Sequence, residues 1–198
     1  MKNTIYIEQP SPAIINQALD EWETKQNYVL QEKSLKKLFM ITYPLNSDID
    51  DVLIKVCALN DFYSTNIYSP FAVASHIVEL KIDDALVKGS PDLVNTLASV
   101  KISEGKTRNF YSFASKYCSH HMPEVYPIYD YFAEKMLLYL NKEYGFTREK
   151  NWKDYTVYKN VIQTFQKKFE LENYSLKEID KYLWITGKRY FPKTYKKI

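Results

Sequence analysis

Glycine is scarce, with four among 198 residues, and that scarcity removes whole classes of chemistry. A glycine-rich loop that cradles phosphate needs backbone no bulkier residue allows, and neither GxxxxGK[ST] nor GxGxxG occurs. HExxH is missing too, so nucleotide-driven and zinc-protease functions drop away. Cysteine is limited to Cys57 and Cys118, far apart and inside apolar helical patterns. There a thiol acts as a small hydrophobe, no disulfide is needed, and a reducing compartment is implied. No stretch approaches the roughly 18 apolar residues of a membrane span, and the opening MKNTIYIEQPSP lacks the unbroken apolar run of a signal peptide. A cytoplasmic protein without membrane contact is expected. Alternating hydrophobic runs are nearly absent, and only residues 4–7, TIYI, read as a short extended piece.

What is present is helix. With 45% hydrophobic residues, the chain is long enough to bury one ordinary core. The expectation is a single all-α domain over 1–198, built of two packed helical halves, 1–100 and 101–198. Ser11 followed by Pro12 opens a helix carrying Ile14, Ile15, Ala18, Leu19 and Trp22 at helical spacing. A second helix is predicted over 30–41, closed before Pro44. Ser47 or Asp48 caps a third with Val52, Val56 and Leu59 on one face. Ser69 and Pro70 start a fourth, through Phe71, Ala74 and Ile77. Short helices follow over 83–87 and 92–97. The polar stretch 100–107, with Gly105, reads as a turn between the halves. Beyond it, 109–121 suits a helix and 122–126 a connection. Pro127 then opens a long helix to about residue 143, ended by Gly145. Helices over 154–169 and 175–186 lead through Gly187 into the basic tail.

Charge is unevenly spread. Residues 1–100 carry 8 Lys against 13 Asp or Glu, a net of −5, and residues 101–198 carry 19 Lys or Arg against 11 acids, a net of +8. A basic half supplies the electrostatic footprint of a phosphate-binding surface, although lysine on an amphipathic helix is more often solvated surface. Eighteen tyrosines and ten phenylalanines offer rings that stack on bases, most of which must pack the core.

Chemistry concentrates in residues 109–131, NFYSFASKYCSHHMPEVYPIYDY. His120 and His121 are its most conspicuous pair. Adjacent helical positions diverge by about 100°, so both do not easily reach one metal, and no metal or cofactor is expected. Instead, one imidazole is expected to cap a helix C-terminus and the other to lie at the surface. What remains is Lys116 and Asp130. Asp130 is placed in the first turn of a helix, where the dipole favours a carboxylate. Lys116 lies mid-helix among Phe110, Phe113, Ala114 and Tyr117, where burial of an amine favours its nucleophilic form. Together such groups divide the cleavage of an N-glycosidic bond: the carboxylate steadies positive charge on the sugar, and the amine attacks the sugar carbon. The alternative is a salt bridge that clasps two helices.

Ser115-Lys116 followed by Tyr126-Pro127-Ile128-Tyr129-Asp130 resembles the helix-hairpin-helix superfamily of DNA glycosylases, over roughly residues 48–140 in order. The resemblance implies that fold, with Lys116 and Asp130 as the catalytic pair. It implies substrate contacts from Asn60, Tyr63, Ser64 and Thr65 at the end of an early helix, and from His120 and Tyr129 beside the pair. A turn at a helix end explains Asn60, Tyr63, Ser64 and Thr65 without a ligand, and packing between helices explains Tyr129; both are the commoner readings. The family's glycine-rich hairpin is not present, since only Gly105 precedes Lys116 nearby, and 14 residues separate Lys116 from Asp130. Two functions follow: a base-excision enzyme on modified or damaged bases extruded from DNA, or a non-catalytic DNA- or protein-binding module. Asp180 and Trp184, four apart, read as a surface carboxylate and a packing ring.

Overall fold

The computed structural model describes residues 6–192, so parts of the extended piece at 4–7 and of the basic tail lie outside the described residues. The chain is all-α apart from one small hairpin. Ten α-helices occur among the described residues: α1 (Pro12–Glu23), α2 (Gln26–Lys37), α3 (Ile49–Tyr63), α4 (Pro70–Leu80), α5 (Asp83–Val87), α6 (Asp92–Ala98), α7 (Tyr111–His121), α8 (Tyr131–Tyr144), α9 (Tyr155–Lys168) and α10 (Leu176–Tyr190). Strands β1 (Ser99–Ser103) and β2 (Lys106–Asn109) join α6 to α7.

Local chemistry explains the helix starts. The Ser11 hydroxyl accepts from the Ile14 amide with Pro12 in the first turn. Asp48 accepts from the amides of Asp50 and Asp51, and Ser175 and Glu178 form a reciprocal capping box, each satisfying amides that the helix leaves open. The second helix ends differently from expectation. It starts earlier, at Gln26, and finishes in a π-helical turn, Leu38–Thr42, before Pro44, whose ring nitrogen donates no hydrogen bond.

Three other expectations are corrected. The turn predicted over 100–107 is an antiparallel β-hairpin, with Val100 opposite Arg108 and Gly105 at φ 68° in its bend. Its polar residues hid the strands, because only Val100 is buried, and the hairpin is braced by α4 and α6. An isolated two-stranded hairpin has little stability of its own. The long helix begins at Tyr131 rather than Pro127, and Asp130 is its N-cap, not a first-turn residue. The carbonyls of Pro127 and Ile128 accept from the hydroxyls of Tyr155 and Tyr158 of α9, each at 2.8 Å, so the segment stays extended instead of coiling. The last helix runs through Gly187 to Tyr190, because Gly187 packs against the backbone of Phe132 in α8, where any side chain would collide. Gly187 is thus a contact point between helices, not a terminator.

One buried hydrophobic cluster draws on every helix, from Ile15 of α1 to Leu183 of α10. Two expected core members are exposed instead, Cys57 and Phe71, the latter 66% accessible. No helix among the described residues is long and apolar enough to cross a membrane.

Candidate functional site

Three consecutive carbonyls on the extended segment before α8 set the geometry of the site. The third, of Tyr129, accepts from Lys116 Nζ at 3.1 Å and from the hydroxyls of Ser112 and Ser115, while the Tyr129 amide donates back to Ser115 Oγ at 3.0 Å. This lattice clasps α7 to the start of α8. Lys116 is 2% exposed, and its ammonium also donates to Ser112 Oγ at 2.7 Å. Asp130 follows directly: one carboxylate oxygen accepts from the Phe132 amide at 2.8 Å, and the other lies 3.7 Å from Lys116 Nζ. The amine and the carboxylate predicted as a pair are therefore neighbours.

Asp130 opens onto a cavity of about 490 Å³ between α2 and the end of α3 on one side and α10 and the start of α8 on the other. Its walls are aromatic. Trp22 stacks with Tyr28 at 5.8 Å between centroids, and Trp184 meets Tyr28 edge-on at 5.0 Å and Trp22 at 5.8 Å. Phe132 adds a fourth ring, 6.2 Å from Trp184. Lys177, Lys181 and Lys188 of α10 also line it, with Lys188 Nζ 4.4 Å from the centre of the Trp184 ring.

Tyr63 and Ser64, predicted as substrate contacts, line this cavity, and the Tyr63 ring lies 5.2 Å from Lys116 Nζ. His120 stands behind Tyr63, its Nε2 3.0 Å from the phenol oxygen. Asn60 and Thr65 are not cavity residues. The Asn60 carboxamide ties down the loop after α3, accepting from Thr65 and the Ile67 amide and donating to the Ile67 carbonyl. The Tyr129 ring is buried against Tyr111 and Tyr158, and its Lys116 contact is through its carbonyl.

Neither histidine behaves as the sequence suggested. Both are buried, and burial pushes both imidazoles down, His120 well below its usual value and His121 to about 3. His121 Nε2 meets Asn46 Oδ1 at 3.1 Å in a polar knot where Asn46 Oδ1 also accepts from Lys55 Nζ at 2.7 Å and the Tyr117 hydroxyl at 2.6 Å. Burial pushes the Lys55 ammonium down to about 8. A protonated, dipole-stabilised cap was expected at α7. Neutral imidazoles result because α2, α3 and the π-helical turn close over that end of α7. No group of three His, Cys, Asp or Glu side chains among the described residues is placed to hold a metal ion.

The residue that sequence reasoning misread is Asp180. It lines the cavity beside Trp184, and its Oδ1 is buried with no hydrogen-bond partner among the described residues. Burial raises its carboxyl to about 7, against the pull of Lys177. Trp22 Nε1 is likewise buried without a hydrogen-bond partner among the described residues. The spacing of Asp180 and Trp184 on one helical face was visible in the sequence, but which face α1 and α2 cover was not.

Residues 14–125 match the family model HI_0787_N, described as an N-terminal domain, and this stretch is more than half the chain. The chain belongs to this family. A Haemophilus influenzae protein described as uncharacterized is 44% identical over 149 residues, covering 74% of this chain and 71% of its own length. No solved structure matches. The family match ends five residues before Asp130, so the cavity is built jointly from the matched segment (Trp22, Tyr28, Tyr63) and the remainder (Asp130, Asp180, Trp184).

Proposed function

We propose that this protein is a DNA base-excision enzyme of the glycosylase and abasic-site lyase type, acting on modified or damaged bases. The observation that carries the reading is the Lys116 amine 3.7 Å from the Asp130 carboxylate at the edge of an aromatic cavity. An extruded base fills an aromatic pocket, and its sugar is then delivered to the pair. After the ammonium yields a proton to solvent, the neutral amine bonds to C1′. The glycosidic bond breaks, and its electrons leave on the base, which takes up a proton. Asp130 steadies the positive charge on the sugar while this happens. The nitrogen then sheds a proton, and ring opening with protonation of O4′ leaves a protonated Schiff base.

The region before Lys116 also supports the reading. Between α6 and α7 the chain carries a β-hairpin in place of the glycosylase superfamily's glycine loop. Lys101, Lys106 and Arg108 are exposed on that hairpin, where cations serve to contact phosphate. The same three cations favour the second reading, a DNA-binding module without catalysis. DNA as substrate puts the protein in the cytoplasm, where Cys57 and Cys118, both free thiols, need no oxidised partner.

Borohydride reduction in the presence of abasic-site DNA separates the two. A covalent adduct from the native chain, lost in Lys116→Ala, is the expected result. Asp130→Asn keeps an N-cap of equal quality, so it is expected to fold and still be captured on abasic-site DNA, while releasing the base from a base-bearing strand at least about tenfold more slowly, in line with the loss of one electrostatic stabiliser. No native adduct, or an undiminished one from Lys116→Ala, removes the catalytic assignment. Salt-sensitive DNA binding without an adduct leaves the binding module.

A further inference from the structure

Lys177 stands where physical chemistry disfavours a lysine. It lies in the first turn of α10, two residues after the N-cap Ser175, at the end where the helix dipole favours anions over cations. Glu178, the acid of that turn, is folded back on Ser175, accepting from its amide and its hydroxyl at 2.7 Å each. Lys177 itself makes no hydrogen bond or ion pair among the described residues. It lines the aromatic cavity and is half-buried there, yet its Nζ keeps accessible surface, whereas Asp180 Oδ1 is sealed. The charged and titratable groups around it are Asp180 and Lys181 on α10, Glu32 on α2, and Lys116 and His120 on α7. Glu32 is tied to Lys181 at 2.9 Å, and Lys116 donates to Ser112 Oγ and the Tyr129 carbonyl. Burial pushes the Lys177 ammonium down, helped by Lys181 and Lys116 and opposed by Asp180 and Glu32.

A lysine that serves only as surface charge extends into water, and one that serves the fold is paired. Lys177 does neither. An accessible amine in an apolar chamber, close to other cations, is the setting in which lysine attacks carbonyl carbon. We propose that Lys177 is a Schiff-base lysine, its Nζ bonding to the carbonyl carbon of an aldehyde carried on a flat apolar ring that occupies the cavity. Phe62, Tyr63, Phe132 and Trp184 give the chamber its apolar walls, and its volume of about 490 Å³ holds such a ring with room for substituents. The neutral amine adds to the carbonyl carbon while the oxygen takes up a proton. The nitrogen then sheds a proton, the oxygen gains a second one and leaves as water, and the nitrogen lone pair closes the C=N bond. This site uses a different amine from the Lys116 pair and does not rest on the base-excision reading.

Treating the full chain with benzaldehyde and cyanoborohydride at pH 7, followed by peptide mass mapping, tests it. Lys177 is expected to be modified at least about tenfold faster than the exposed Lys101 and Lys106, in line with a larger share of free amine. With acetaldehyde, which has no ring to fill the chamber, that advantage over the exposed lysines should shrink several-fold. Lys177→Arg, which keeps the charge, should lose the cavity adduct. Lys177→Met should melt at a higher temperature than the native chain, because it removes an unpaired, desolvated cation that function alone explains. Equal rates at Lys177 and the exposed lysines, modification at Lys116 in its place, an undiminished advantage with acetaldehyde, or a less stable Lys177→Met overturns the proposal. Abasic-site DNA captured through Lys116 without benzaldehyde at Lys177 sinks this inference alone, and benzaldehyde at Lys177 without DNA capture sinks the excision chemistry alone.

Discussion

At the scale of single residues, the polar knot around Asn46 shows how a buried group becomes indispensable. Its side-chain oxygen accepts from Lys55, Tyr117 and His121, and its amide nitrogen donates to Asp83 at 2.6 Å. Asn46→Leu strands the buried Tyr117 hydroxyl and the His121 N–H, each costing about 1–3 kcal/mol, while Lys55 keeps the carbonyls of Tyr43 and Leu45, and the variant is expected to unfold at far lower denaturant than the native chain. His121 makes the knot sensitive to acid. Its folded pKa lies near 3, below the usual 6.5, so the unfolded chain binds the proton more readily between those values. Its contribution is full above pH 6.5 and falls by about 1.4 kcal/mol per pH unit below it until pH 3. Denaturant melts of His121→Gln from pH 7 to 4 should show a slope shallower by about one proton, and an unchanged slope would contradict a neutral buried His121. Asp180 has the opposite sign. Raised from 3.8 to about 7, it makes the fold lose stability as pH climbs between those values. Asp180→Asn should flatten that descent, which the same melts would record.

At the scale of elements, the site depends on how closely α8 and α10 approach. Gly187 lies against the Phe132 backbone, two residues beyond the cap Asp130, and Trp184 and Asp180 sit one and two turns before it. Alanine is favoured over glycine in a helix by about 1 kcal/mol, yet a Cβ here meets backbone that has no room to yield. Gly187→Ala is therefore expected to lower stability by about 1–3 kcal/mol, as overpacking does, and to weaken any ligand of the cavity along with it. A variant more stable than the native chain in thermal melts would show that the two helices separate freely. The segment before α8 carries the complementary lesson. It is held extended by hydroxyls from α9 and donors from α7, so the position of Asp130 belongs to three elements rather than one.

At the scale of the whole molecule, the charge imbalance between halves acquires a place. The acidic half contributes α1 to α6 and one wall of the cavity, while the basic half brings the hairpin's second strand, Lys116 and the α10 lysines. If phosphate is met on the hairpin, replacing Lys101, Lys106 and Arg108 with alanine should reduce the slope of log affinity against log salt by about 0.9 for each phosphate no longer neutralised. Binding isotherms for duplex DNA at several salt concentrations read this directly. An unchanged slope would move the phosphate surface elsewhere.

Helix content, most helix starts, the opening at Ser11 with Pro12, Asp48 as one of two candidate caps, and the Lys116 and Asp130 candidates were legible from the chain, because capping and helical periodicity are written within a few neighbouring residues. Whatever required a distant partner was not. The hairpin at 99–109 was obscured because its face is polar, the start of α8 because donors from α7 and α9 override the local preference of Pro127, and the course of α10 through Gly187 because the reason sits in α8. The two histidines and Asp180 were misjudged for one shared reason: exposure is decided by which face the remaining helices cover. Local sequence determined the helices and nominated an amine and a carboxylate. Only tertiary packing, which buries atoms from distant segments together, brought them within 3.7 Å beside an aromatic cavity.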